Sequence, residues 1–179
     1  MGIWSALDNV YPDAGQQRCW NHRMRNVLDC VGKKKQAEAK GLLTKVMYAP
    51  TEQKAVEAKR AFEQWATEQQ YAKAAERIGQ DWERMVAYYA TPKEHWVHLR
   101  TTNPIESAFA TVRHRTKVTK GPGSRAAGLA MAFKLIESAQ DRWRAVNAPH
   151  LVALVRAGAT FINGKLIERP GGNAEPEAA

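Results

Sequence analysis

Cysteine is scarce in this chain: Cys19 and Cys30 are the only two in 179 residues, too few for the disulfide framework of a small secreted domain. Long apolar runs are missing as well. No stretch approaches the ~20 residues that a membrane span requires, and mean hydropathy is −0.53. The opening residues, MGIWSALDNVYPD, carry acids and no basic stretch where a secretory signal has an apolar core. Ala6 stands where a myristoylation site needs Ser or Thr. The expectation is a cytoplasmic protein with no membrane partner. With 44% hydrophobic and 25% charged residues, composition is that of an ordinary folded domain rather than a disordered chain.

Acidic residues are unevenly missing. Between Glu106 and Glu137 there is no acid at all, while Arg113, Arg115, Lys117, Lys120, Arg125 and Lys134 all fall there. Residues 18–48 hold eight Lys and Arg against two acids. These two blocks account for the excess behind the net charge of +9. Concentrated cations focus a field that attracts polyanions, so nucleic acid is the expected partner. A solvated basic face without a partner is the plainer alternative.

Apolar spacing reads as helix after helix. Ile3, Trp4, Leu7 and Val10 mark a first helix stopped by Pro12, and Gln17 to His22 reads as a short strand. Val27, Leu28 and Val31 imply a helix ending at Gly32. Lys33 to Ala49 is helical, and Thr51 caps the helix that follows. Tyr71 to Tyr89 reads as one helix, with Trp82 in its stripe; Trp82 and Trp65 sit at core spacing rather than as base-stacking residues. After Thr91-Pro92 the rhythm lapses until Asn103, which is expected to cap a helix with Pro104 as its first residue and an end near Arg115. Thr116 to Gly123 is a flexible basic loop. Ser124 caps the next helix, striped by Leu129, Phe133, Ile136 and Trp143. A short helix covers Leu151 to Arg156, and Phe161 to Ile167 forms a hairpin about Asn163-Gly164. Residues 169–179, rich in Pro, Gly and acid, are expected to be disordered.

Three groupings could carry chemistry. Asn103-Pro104-Ile105-Glu106 reads structurally as a capping box, with Glu106 folding back on the Asn103 amide. Chemically, a carboxylate in the first turn of a helix, with Arg113 two turns along the same face, suits a phosphoryl-transfer site in which cations hold the DNA backbone near a divalent metal. Cys19-x-x-His22 and His95-x-x-His98 supply four zinc-type ligands, yet no Cys-x-x-Cys knuckle accompanies them. Cys19 with His22 has no third orienting group, which argues against nucleophilic catalysis. Finally, two-metal chemistry needs several converging carboxylates. None of Asp8, Asp13, Asp29, Asp81 or Asp141 has the surroundings of a strand-borne ligand, so the catalytic set looks incomplete.

Gly2-Ile3-Trp4, Tyr11-Pro12, Gln17-Arg18-Cys19-Trp20-Asn21-His22-Arg23 and Asn26-Val27-Leu28-Asp29 together resemble a continuous stretch of the Mutator-family transposases of bacterial insertion sequences. Thr101 to Ser107 is similar to that family's signature around its third catalytic carboxylate, and Arg113-x-Arg115-Thr116-Lys117-x-x-Lys120-Gly121 follows as in the family. Leu154 to Gly158 and the Phe161 to Gly164 turn fit its carboxyl end.

The resemblance implies an RNase H-like core in which two Asp and one Glu bind Mg²⁺ or Mn²⁺, with a helical insertion ahead of the Glu. Glu106 matches that Glu, as catalytic and metal-binding residue. Asn103, Arg113, Arg115, Lys117, Lys120 and Arg125 are the expected DNA-binding residues, and Cys19 and His22 match a family signature of no assigned role. The family places its second Asp a few residues before the Gly-Ile-Trp segment, so this chain is expected to be inactive alone and to bind no metal tightly. The complete protein would act on transposon ends and target DNA, cleaving and transferring strands, with a homo-oligomer as the expected assembly of the full-length parent. The expected fold is mostly α, with a partial RNase H-like α/β core at 1–32 and a helical insertion at 33–98. Residues 99–168 hold the Glu-bearing helix, basic loop, last helices and small hairpin, and 169–179 the tail. Alternatives are a non-catalytic helical nucleic-acid-binding module and a small zinc-stabilised regulator.

Overall fold

Apolar residues at three- and four-residue steps give an almost wholly helical chain in the computed structural model, which describes residues 3–167 and, of these, no side chain at 3, 4 or 103–105. The expected tail at 169–179 lies outside the described residues. The helices are α1 (Ile3–Val10), α2 (Trp20–Leu28), α3 (Gln36–Met47), α4 (Glu52–Glu68), α5 (Ala72–Gly79), α6 (Trp82–Val86), α7 (Trp96–Leu99), α8 (Asn103–Val118), α9 (Arg125–Gln140) and α10 (His150–Arg156). Strands β1 (Phe161–Ile162) and β2 (Lys165–Leu166) pair antiparallel, Phe161 opposite Leu166.

The core lies among α2 to α7. Trp20, Val27, Leu43, Val46, Phe62, Ile78 and Met85 are buried there, removing apolar surface from water at about 25 cal/mol per Å². Trp65 and Trp82 pack against this core as their spacing predicts, and Trp20 meets Trp82 edge-on with ring centroids 6.1 Å apart. Tyr88 and Tyr89 are buried beside Trp96. Their hydroxyls donate to Met47 O at 3.3 Å and Ala49 O at 2.8 Å, so the last carbonyl of α3, and one two residues beyond it, find partners that the helix itself cannot supply.

Three sequence expectations are corrected here. Residues 17–22 form no strand: the backbone is extended only up to Cys19 and α2 begins at Trp20. The backbone amides of Arg18 and Trp20 donate instead to Arg84 O and Arg100 O, both at 2.8 Å, which satisfies them without a sheet. The continuous helix over Tyr71–Tyr89 is broken into α5, α6 and a 3₁₀ turn at Ala87–Ala90. The break falls at Asp81, which takes a left-handed conformation with φ 52°, tolerated by Asp better than by most residues. That turn lets its carboxylate meet Arg18 and Arg23, each at 3.3 Å. Finally, the interval after Pro92 is not irregular, since a 3₁₀ turn at Lys93–His95 leads into α7.

Caps follow the sequence with one shift. Thr51 accepts from Lys54 N at 3.2 Å and Ser124 from Ala127 N at 3.1 Å. Helix α8, however, starts at Asn103 itself, with Thr102 in the cap position, and it continues to Val118 rather than Arg115.

The hairpin is tied to the helical body. Asn163 and Gly164 have φ of 50° and 81°, the two positive values that a type I′ turn requires. Asn163 Oδ1 accepts from the Glu52 amide at 2.8 Å, at the start of α4. The amide of Gly164 donates to Tyr89 O, and its carbonyl accepts from the Lys93 amide, both at 3.2 Å. Helices α8 and α9 form a hairpin of their own that buries no described side chain. Leu129 and Phe133 on α9 are both 63% exposed, and Trp143 beyond it is 57% exposed. No helix among the described residues is long and apolar enough to cross a membrane.

Candidate functional site

The segment Gln17–Cys19 and the start of α8 are brought together by backbone pairing. Trp20 N donates to Arg100 O, and Thr102 N donates to Cys19 Sγ at 3.4 Å. The Trp20 indole and the Gln17 side-chain amide both donate to Met85 O, at 2.9 and 3.0 Å, which fixes this segment on α6. Arg23, one turn into α2 and buried, donates to Arg77 O at 2.8 Å and pairs with Asp81. Cys19 thus sits in the cap position of α2, His22 in its first turn, and Glu106 in the first turn of α8.

These three residues meet. The Cys19 sulfur, one His22 ring nitrogen and one Glu106 oxygen all lie within 4.8 Å of one another. His22 Nε2 is 3.4 Å from Glu106 Oε1, and the Thr102 hydroxyl donates to the same oxygen at 2.8 Å. The Glu106 carboxylate thus faces Thr102 and α2. Burial pushes the Cys19 thiol up, but hydrogen bonds from Thr102 and His22 outweigh it, and the thiol lies below its ordinary value. The amino-terminal end of α2 adds a positive dipole on the same side. All three residues line a cleft of about 590 Å³, walled also by Leu7, Tyr11, Arg18, Met85 and Phe109.

The pairing of Cys19-x-x-His22 with His95-x-x-His98 is not formed. His95 is buried with Nε2 3.3 Å from Ala148 O, and His98 Nε2 accepts from Asn147 N at 3.0 Å. Both hold the segment ahead of α10. The sequence alone did not join Cys19 and His22 to Glu106, because the 83 residues between His22 and Glu106 give no local signal of the contact. Asp8 and Asp81 are likewise occupied elsewhere: Asp8 accepts from Gln16 Nε2 at 2.6 Å, and Asp81 holds two arginines. Arg113, Arg115, Lys117, Lys120 and Arg125 are all exposed, and none pairs with a carboxylate among the described residues. Lys120 opens the turn between α8 and α9 with φ 55°.

The family described as "Transposase, Mutator family" matches residues 1–146 of the chain. The chain belongs to the Mutator transposase family. It is 55% identical over 170 residues to the transposase for insertion sequence element IS6120 of Mycolicibacterium smegmatis, covering 95% of this chain and 52% of that protein. It is 43% identical over 164 residues to the transposase for insertion sequence element IST2 of Acidithiobacillus ferrooxidans, covering 92% and 55%. A more distant relative, the transposase for insertion sequence element ISRM5 of Rhizobium meliloti, is 24% identical over 148 residues, covering 82% and 36%. The chain spans about half the length of the two more similar relatives.

Proposed function

We propose that this chain is the Glu-bearing portion of a DNA transposase, with Glu106 as its catalytic carboxylate and the outer surface of α8 and its following turn as a DNA-backbone contact. The carrying observation is that Glu106 lines a cleft at the head of the same helix that ends in exposed, carboxylate-free cations. Arg113 follows Glu106 by two helical turns, so a strand gripped by Arg113, Arg115, Lys117, Lys120 and Arg125 passes the cleft mouth. Guanidinium and ammonium groups hold phosphate without reading sequence. Asn103, a DNA-binding residue by the family resemblance, is the first residue of α8.

In the complete protein Glu106 joins two aspartates of an RNase H-like core, which the family resemblance puts ahead of the Gly2-Ile3-Trp4 segment. Mg²⁺ or Mn²⁺ bound there supplies charge stabilisation to phosphoryl transfer. The donors around Glu106 in this chain do not fit such an ion: Mg²⁺ takes an octahedron of hard oxygens, and the neighbours are a thiol and an imidazole. What this chain's residues do is place one carboxylate, fixed by the Thr102 hydroxyl, beside a gripped backbone.

The test uses a full-length relative carrying the Glu106→Gln change at the matching position. Strand cleavage and transfer at the insertion-sequence ends should be abolished while DNA binding persists. Retained strand transfer would leave Glu106 a purely structural role. Exposed cations without a carboxylate partner also favour a plain nucleic-acid-binding module, and retained DNA binding by the 179-residue chain with no effect of Glu106 in the full-length relative would select it.

A further inference from the structure

We infer that Cys19, His22 and Glu106 form a three-ligand site for Zn²⁺ or a like transition-metal ion, with its fourth position open to the cleft. The inference concerns the ion that the residues of this chain can hold by themselves; it draws on the same Glu106 carboxylate as the transposase reading, and metal binding by this chain and strand transfer by a full-length relative test the two separately.

The donor set is the first ground. One thiol sulfur, one imidazole nitrogen and one carboxylate oxygen are the ligands that tetrahedral zinc takes, and three protein ligands with an open position is the arrangement of a reactive rather than a structural zinc. A sulfur donor beside nitrogen discriminates against Mg²⁺ and Ca²⁺ and in favour of zinc-like ions. The second ground is distance. In a tetrahedral site with ligands about 2.0–2.1 Å from the metal, nitrogen and oxygen lie about 3.4 Å apart, and sulfur and nitrogen about 3.6 Å. His22 Nε2 and Glu106 Oε1 are 3.4 Å apart, already at that separation and longer than the ~2.7–2.9 Å of a good charge-assisted hydrogen bond. All three donor atoms lie within 4.8 Å, so closure on an ion needs at most about 1 Å of side-chain adjustment relative to that tetrahedron.

The third ground is support. Thr102 donates to two of the three ligands, through its amide to Cys19 Sγ and through its hydroxyl to Glu106 Oε1. A shared outer partner of this kind orients metal ligands. Access is open, since the His22 and Glu106 side chains are 57% and 47% exposed. The site draws on neither His95 nor His98.

Co²⁺ is the probe, added to the reduced, tag-free full chain. Bound through Cys19, it should give a sulfur-to-cobalt charge-transfer band with intense visible bands of a four-coordinate ion. One equivalent of Zn²⁺ should bleach them, and millimolar Mg²⁺ should not. Cys19→Ser should abolish the charge-transfer band. His22→Ala and Glu106→Gln should each weaken Co²⁺ binding at least about 100-fold, beyond the 10–100-fold typical of losing an outer-shell partner. Cys30→Ser should change nothing. Far-UV melts of each variant without metal separate loss of a ligand from loss of the fold; His22, exposed, is the variant least able to unfold the chain. A band that survives Cys19→Ser, or Co²⁺ affinity unchanged by His22→Ala or Glu106→Gln, overturns the site, as does the absence of any band in the unaltered chain.

Discussion

Glu106 is exposed, and the one described protein donor to it besides His22 is the Thr102 hydroxyl. Its replacement by Ala should therefore cost little stability, about 0.5–1 kcal/mol from one lost hydrogen bond, as read by chemical denaturation. The tyrosine pair behaves differently. Burial pushes the Tyr88 hydroxyl far above its ordinary value, and burial also raises Tyr89. Below pH ~10 both states of the chain hold these protons. Above it the unfolded chain releases them while the folded chain keeps them, so stability must fall as pH rises. The melting temperature should drop between about pH 10 and 11, and Tyr88→Phe should flatten that drop. At neutral pH the same change should cost about 0.5–1.5 kcal/mol, because Arg100 Nη1 still donates to Met47 O at 3.2 Å.

Among the secondary-structure elements, the hairpin is the most constrained. A Cβ on Gly164 would stand 2.6 Å from Lys93 Cβ and 3.0 Å from its backbone, at a φ of +81°. Gly164→Ala should destabilise by about 2 kcal/mol or more, seen as a lower urea midpoint with unchanged slope. Ser124→Ala removes the cap of α9 and should cost about 0.5–2 kcal/mol of helix stability, visible as faster amide exchange near Ala127. Both features were legible in sequence, since Asn-Gly and Ser caps act within three residues. The break at Asp81 was not. Its cause is a pair of arginines some sixty residues earlier, and apolar spacing carries no trace of that demand. The extended run at Gln17 to Cys19 misled for a related reason: its amides find partners on α6 and ahead of α8, so a strand-like backbone needs no sheet. Cys19, His22 and Glu106 were each legible as candidates, and their meeting was not.

At the scale of the molecule, charge and burial divide the chain differently. The core belongs to α2–α7, whereas the cations expected to meet DNA lie on α8, its turn and the start of α9. If five of them contact phosphate, the logarithm of binding affinity should fall against that of salt with a slope of about −4 to −5. Changing Arg113, Arg115, Lys117 and Lys120 together to Ala should reduce the slope by about 3 to 4, with the melting temperature unchanged because none of them is buried. An unaltered slope would place DNA elsewhere, the basic residues of 18–48 being the next surface to test. RNase H-like topology was expected from resemblance alone, and the two-stranded hairpin is the sole sheet among the described residues.

The bonds between Gly164 and the chain at Tyr89 and Lys93 close a lariat in which α8 to α10 leave the bundle after α7 and return to the place they left. A lariat tied at its neck can change its circumference without moving the knot. Each doubling of such a loop costs only about 0.6 kcal/mol in closure entropy, so residues added in the turn between α8 and α9 lengthen the arm that carries the cations while the bundle keeps its melting point. Reach and anchorage are thus set by separate parts of the chain, and selection can tune the first without spending the second.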